Sequence, residues 1–183
     1  MISLIVLVIL VIVVLYLIAL YNALVRIRNQ VRNAWAQIGV QLKRRHDLIP
    51  NLVEVVKDYM AYEQETLTKV VEARSKAISA QGVVETSKAE NQLTGALKSL
   101  FAVFERYPDL KANQNVMKLQ EELTSTENKI AFARQYYNDS VMSLNNRTQL
   151  FPSNLIASSF GFKQEQYYEV PEEEKEVVKV DLR

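Results

Sequence analysis

The chain contains no cysteine, only four glycines and four prolines, and a single histidine and a single tryptophan in 183 residues. Without cysteine there is no disulfide, thiol nucleophile or thiolate ligand, on either side of a membrane. One histidine without cysteine also excludes zinc sites of the usual kind. So few glycines and prolines exclude an all-β architecture, whose many turns need them. Neither charge sign dominates, with 22 Lys and Arg against 21 Asp and Glu, so no global basic field points to nucleic acid. No Gly-rich phosphate loop, serine elbow or kinase-like set is present, so nothing calls for a cofactor or a small-molecule substrate.

What is present begins with an apolar run. Ile2 to Leu20 carries no charge, proline or glycine, and only Ser3 and Tyr16 have polar side-chain atoms. As a helix it spans about 28 Å, against ~30 Å for the hydrocarbon core of a bilayer. In lipid only a helix satisfies its own backbone groups, so the many β-branched residues do not argue for a strand. Tyr16 and Tyr21 lie toward the end where aromatic rings favour the interface. A signal peptide would show a basic leader and small residues at a cleavage site. Nothing basic precedes this run, and Leu20-Tyr21-Asn22-Ala23 is a poor site. The expectation is a retained, single-pass anchor over residues 1–21 in a lipid bilayer, with a buried core helix as the alternative. Arg26, Arg28 and Arg32 follow it, then Lys43, Arg44 and Arg45, so the positive-inside rule puts the N-terminus out and the remaining chain in the cytoplasm. A domain outside, or periplasmic, is the alternative.

The remaining ~160 residues suffice for one domain with a core. Leu24, Ile27 or Arg28, Val31, Trp35, Ile38 and Leu42 recur at helical spacing, with no breaker between the anchor and this segment. A second segment runs from Asp47 to about Ala80. Proline is tolerated in a first helical turn and Asp47 suits an N-cap, so Arg45 to Asn51 reads as the turn between two helices. The stripe keeps phase through Ile49, which leaves one long kinked helix as the alternative. Gln81-Gly82 ends the second segment. Ser87-Lys88-Ala89-Glu90 has the spacing of a capping box and opens a third, which stops before Pro108. A last helix from about Lys111 to Asn146 carries Val116, Leu119, Leu123, Ile130, Ala133, Tyr137, Val141 and Leu144. The fold class is all-α: a single N-terminal transmembrane helix, then an antiparallel four-helix bundle over residues 22–162. Residues 163–183, rich in glutamate, read as an acidic, flexible tail.

Trp35-Ala36-Gln37-Ile38 leading into Gln41-Leu42-Lys43-Arg44-Arg45-His46-Asp47-Leu48-Ile49-Pro50-Asn51-Leu52-Val53-Glu54 resembles the signature of the LemA family. Ala89-Glu90-Asn91-Gln92-Leu93, Tyr107-Pro108-Asp109-Leu110-Lys111-Ala112-Asn113 and Leu119-Gln120-Glu121-Glu122-Leu123 with Thr126-Glu127-Asn128 match in order, as do Tyr137-Asn138 and Gly161-Phe162. Gly39 departs from the family's usual aspartate. The resemblance, over about residues 20 to 162, implies a single-pass bacterial inner-membrane protein with a four-helix bundle, supports the split at Pro50, and implies no known activity. A related protein of magnetic bacteria serves in building membrane compartments, and some members are encoded near a membrane metalloprotease.

Few residues carry chemistry. His46 reads as a surface or capping histidine, and Trp35 as core. Glu54, Glu63, Glu90 and Glu127 are candidates to face inward, but the Glu-x-x-His of di-metal bundles is absent. No catalytic, cofactor or metal site is expected. From the resemblance, Glu90-Asn91 and Glu127-Asn128 form a candidate polar layer that fixes helix register. Lys43, Arg44 and Arg45 form a candidate surface-basic patch, either a solvated helix end or a dock for an acidic partner. A helix rising about 37 Å from Leu20 to Arg45 holds it far from its own bilayer unless tilted. The expected function is a non-enzymatic, membrane-anchored scaffold that binds a protein partner or itself. The alternatives are an accessory subunit of a membrane protease or signalling system, and an enzyme with an unrecognised carboxylate site in the bundle.

Overall fold

A computed structural model describes residues 1–60 and 62–169, with Lys111 described by its backbone alone. Among these residues the regular elements are all helical: α1 (Ile2–Val56), α2 (Gln64–Ser79), α3 (Gly82–Phe104), the one-turn α4 (Pro108–Lys111), α5 (Gln114–Gln149) and α6 (Ser153–Ser159). The apolar run is the first part of α1, long and apolar enough to cross a membrane. Its side chains from Ile2 to Ile18 are exposed, which removes the reading as a core helix. Helix α1 continues through Gly39, where an added Cβ meets nothing within 4 Å, so close packing does not demand glycine there.

The expected turn at Arg45 to Asn51 is not observed. Helix α1 runs through Pro50 and ends at Val56, and the link to α2 is residues 57–63. A proline inside a helix deprives the carbonyl four residues earlier of its donor, here that of His46. Arg74 of α2 replaces the missing N–H: its Nε donates to His46 O at 2.7 Å. Arg74→Met should therefore lower stability by about 1–3 kcal/mol, the cost of leaving a partly buried carbonyl unsatisfied. In a Pro50→Ala background, which restores the backbone donor, the loss should shrink. Equal losses in both backgrounds, measured by urea unfolding, would mean that Arg74 acts elsewhere.

The start of α3 also differs from the expected capping box. The helix begins at Gly82, whose φ of +76° suits a residue without Cβ, and Ser87 lies buried within it, its hydroxyl donating to Val84 O at 2.8 Å. The residue before the helix, Gln81, makes no side-chain cap bond, and its backbone N–H donates to Glu85 at 3.4 Å. Helix α5 starts after Asn113, whose Oδ1 accepts from the N–H groups of Asn115 (2.9 Å) and Val116 (3.3 Å).

The chain divides into two compact units. The second comprises Gly39–Ala131 with Tyr168 and Glu169. Its core is one apolar cluster drawn from the end of α1 (Ile49, Leu52, Val56), α2 (Leu67, Val70), α3 (Leu93, Leu97, Leu100, Phe104) and the start of α5 (Val116, Leu123). Short links make successive segments antiparallel, which is the four-helix bundle the sequence pattern predicts.

The first unit comprises Met1–Ile38 with Phe132–Tyr167. Leu24 packs with Ala157 and Phe162, supported by Tyr21, Val25 and Ile156, and the Arg28 guanidinium lies over the Phe162 ring at 4.8 Å. Trp35 meets Tyr137 with ring centroids 5.6 Å apart. Residues 163–169 follow α6 without regular secondary structure, and side chains tie down their backbone. Buried Asn145 grips Glu165 twice, donating from Nδ2 to its carbonyl at 3.0 Å and accepting its N–H at 2.9 Å. The Tyr137 hydroxyl donates to Gln166 O at 2.9 Å, and burial, then the nearby Glu165 charge, push its pKa up to about 12. In the second unit Tyr168 is buried and Asn91 Nδ2 donates to Glu169 O at 3.4 Å. The expected tail beyond Glu169 lies outside the described residues.

Candidate functional site

The residues singled out by the sequence converge in the second unit, though not as expected. Arg45 is no part of a surface patch: it is 1% exposed, with partners on α3 and α5. Its position explains why. Ile38, Leu42, Arg45, Ile49, Leu52 and Val56 recur at spacings of three and four, so Arg45 occupies a core position of the α1 stripe. Glu90 does the same on α3, three residues before Leu93, and Glu127 on α5, between Leu123 and Ile130. A charge standing where the stripe calls for an apolar side chain was the signal available in the sequence.

The single cation, Arg45, is shared between the two carboxylates. Arg45 Nη2 donates to Glu90 Oε2 and, at 3.1 Å, to the Glu90 carbonyl. Its Nη1 donates to Glu127 Oε2 and, at 2.9 Å, to Thr94 Oγ1. His46, only 12% exposed at its side chain, places Nε2 2.7 Å from Glu90 Oε1, so it is neither a surface nor a capping residue. Arg45 Nε is buried with no partner among the described residues. Of the four residues of the candidate polar layer, Glu90 and Glu127 meet, and they do so on Arg45. Asn91 reaches the 168–169 segment instead, and Asn128 is exposed.

Burial alone would lower the pKa of Arg45, but the Glu90 and Glu127 carboxylates outweigh it and hold the guanidinium above its ordinary value. For Glu90 burial is again the largest influence and raises the carboxyl. The hydrogen bond with His46 and the charges of Arg45 and His46 together reverse it, so the group titrates below its ordinary 4.5. A carboxyl whose pKa is lower in the folded than in the unfolded state stabilises the fold above the unfolded value, and that stability is lost as pH falls through the folded one. The urea midpoint should therefore drop as pH is taken below 4.5, with a shallower slope in Glu90→Gln. A slope identical in the two proteins would show that Glu90 contributes none of it.

Lys43 and Arg44 stay on the surface, each facing a carboxylate: Asp47 lies 2.8 Å from Lys43, and Glu122 of α5 lies 2.5 Å from Arg44. Arg44 holds the Glu122 carboxyl below its ordinary value. Beside His46 and Glu90 opens a shallow cleft of about 330 Å³, rimmed by Lys43, Asp47 and Arg74. Among the described residues no group of three or more His, Asp or Glu side chains is placed to hold a metal ion. The cluster is built to join helices, with one cation shared between two carboxylates from different segments.

Residues 34–182 match the LemA family. The chain belongs to the LemA family. The matched range contains the whole cluster and begins after the apolar run. This LemA-family chain is 32% identical to Protein LemA of Metamycoplasma hominis, over 74% of the chain and 63% of that protein. It is 23% identical to Magnetosome protein MamQ 2 of Paramagnetospirillum magneticum and to Magnetosome protein MamQ of Magnetospirillum gryphiswaldense, in each case over 81% of the chain and 64% of the relative. The chain thus spans 63–64% of the length of these relatives.

Proposed function

We propose that this LemA-family chain is a membrane-anchored scaffold that works by binding other proteins or copies of itself, and not by catalysis. The observation that carries this reading is a single helix, α1, in which an exposed apolar stretch runs without a break into a segment of the bundle core. The charged groups inside that core are taken up by one another. Two relatives are named as magnetosome proteins. Carried to this chain, that likeness favours membership of a membrane-bound assembly. In this reading the apolar stretch lies in the bacterial inner membrane, and Arg26, Arg28 and Arg32 after it keep the helical domain in the cytoplasm.

Cross-linking in native membranes should capture a reproducible homo-oligomer or protein partner. A strictly monomeric, partnerless protein would overturn the proposal. A stoichiometric complex with one membrane protease or signalling protein, without self-association, would support the accessory-subunit reading instead. For the side of the membrane, a cysteine introduced at exposed Val71 should label only after permeabilisation. Labelling in intact cells would reverse the orientation.

A further inference from the structure

The first unit carries exposed apolar side chains around α6 that its buried core does not take in. Leu150, Phe151, Leu155 and Phe160 are between 56% and 79% exposed, although they lie in and around α6, whose other face is fixed by Ala157 in the small core with Leu24 and Phe162. The patch has a defined height along α1. The Phe160 ring lies 4.8 Å from the ring of Tyr21, the first residue after the apolar run. The two helices set the same level independently. Trp35 faces Tyr137, and the chain after α5 returns to Tyr21, so within this unit α5 runs antiparallel to α1. From Tyr137 to Gln149 is about 18 Å of helix and from Trp35 back to Tyr21 about 21 Å, which brings Leu150 and Phe151 level with the end of the apolar run. Exposed cations flank the patch in sequence, Arg147 before it and Lys163 after it, with Arg26 one turn beyond Tyr21 on α1.

We infer that Leu150, Phe151, Leu155 and Phe160 form a foot that seats in the interfacial layer of the same bilayer that the Ile2–Leu20 stretch crosses. The headgroup layer on each side of a bilayer is roughly 5–7 Å thick, and interfacial apolar side chains enter it by about 5–10 Å. A patch level with Tyr21 falls within that layer, where aromatic and aliphatic side chains are stabilised and nearby Arg and Lys meet lipid phosphates. The occupant is the bilayer and not a second copy, because the patch is continuous in height with a surface already suited to lipid. The inference rests on the reading of Ile2–Leu20 as membrane-spanning.

The test uses the full chain, whose lack of native cysteine permits single-site spin labels, reconstituted in vesicles of phosphatidylcholine and phosphatidylglycerol. Labels at Phe151→Cys and Leu155→Cys should collide more with dissolved oxygen than with an aqueous nickel complex. Leu10→Cys, within the spanning stretch, should do likewise, whereas exposed Val71→Cys should show the inverse ratio. Nickel-dominated relaxation at 151 and 155 with a lipid-like Leu10 overturns the foot and leaves the anchor standing. Nickel-dominated relaxation at Leu10 as well overturns both. Spin–spin broadening at 151 or 155 that disappears on dilution with unlabelled protein means that a second copy covers the patch, and this also overturns the proposal.

Discussion

Arg45→Ala should destabilise the bundle by about 3–5 kcal/mol, because it leaves a buried carboxylate without its counter-charge. Glu90 is 2% exposed at its side chain and would keep only His46 as a charge partner, while Glu127, at 34%, has water as a second recourse. The loss should therefore fall mainly on the α1–α3 contact. Urea unfolding of the full chain in mild detergent, followed by circular dichroism, measures it. The informative comparison is the triple variant Arg45→Met, Glu90→Leu, Glu127→Leu. Buried ion clusters are often replaceable by apolar groups of similar volume at little cost, so it should recover most of the lost stability. An Arg45→Ala protein within about 1 kcal/mol of the parent would show that the cluster is hydrated in solution and not worth a buried pair.

Leu100→Ala is expected to cost about 2–5 kcal/mol, the range for emptying a fully buried leucine site. Leu100 is 0% exposed and belongs to the apolar cluster that joins all four segments of the second unit. Val71→Ala, on an exposed face of α2, should stay within about 0.5 kcal/mol of the parent. Similar losses at both positions would mean that helix propensity and not packing holds the bundle. The same urea titrations decide it.

The helices were legible because their apolar stripes are long and in phase. Leu93, Leu97 and Leu100 on α3, or Ile130, Tyr137, Val141 and Leu144 on α5, announce a buried face without any tertiary information. Two boundaries were less so, since each turned on a partner distant in sequence. Pro50 looks like a helix start when only its neighbours are considered, and continues a helix because Arg74 stands in for its missing N–H. Ser87 and Glu90 have capping-box spacing, but Glu90 is drawn inward by Arg45 and His46. For the site, the residue types were visible and their pairing was not. Arg45 sits in a run of cations that reads as surface, while its phase in the stripe places it in the core. Asn145, which fixes the 163–167 segment, gives no sequence signal at all, because a side-chain amide that pairs with a backbone is indistinguishable from any polar residue on a helix.

The bond between Arg74 and the His46 carbonyl also imposes an order on assembly. Residues 46–50 are synthesised well before Arg74 exists, and until α2 is made and docked the turn ahead of Pro50 has an open carbonyl and a weak point in an otherwise continuous helix. The helix that carries the anchor is completed only by a side chain translated after it.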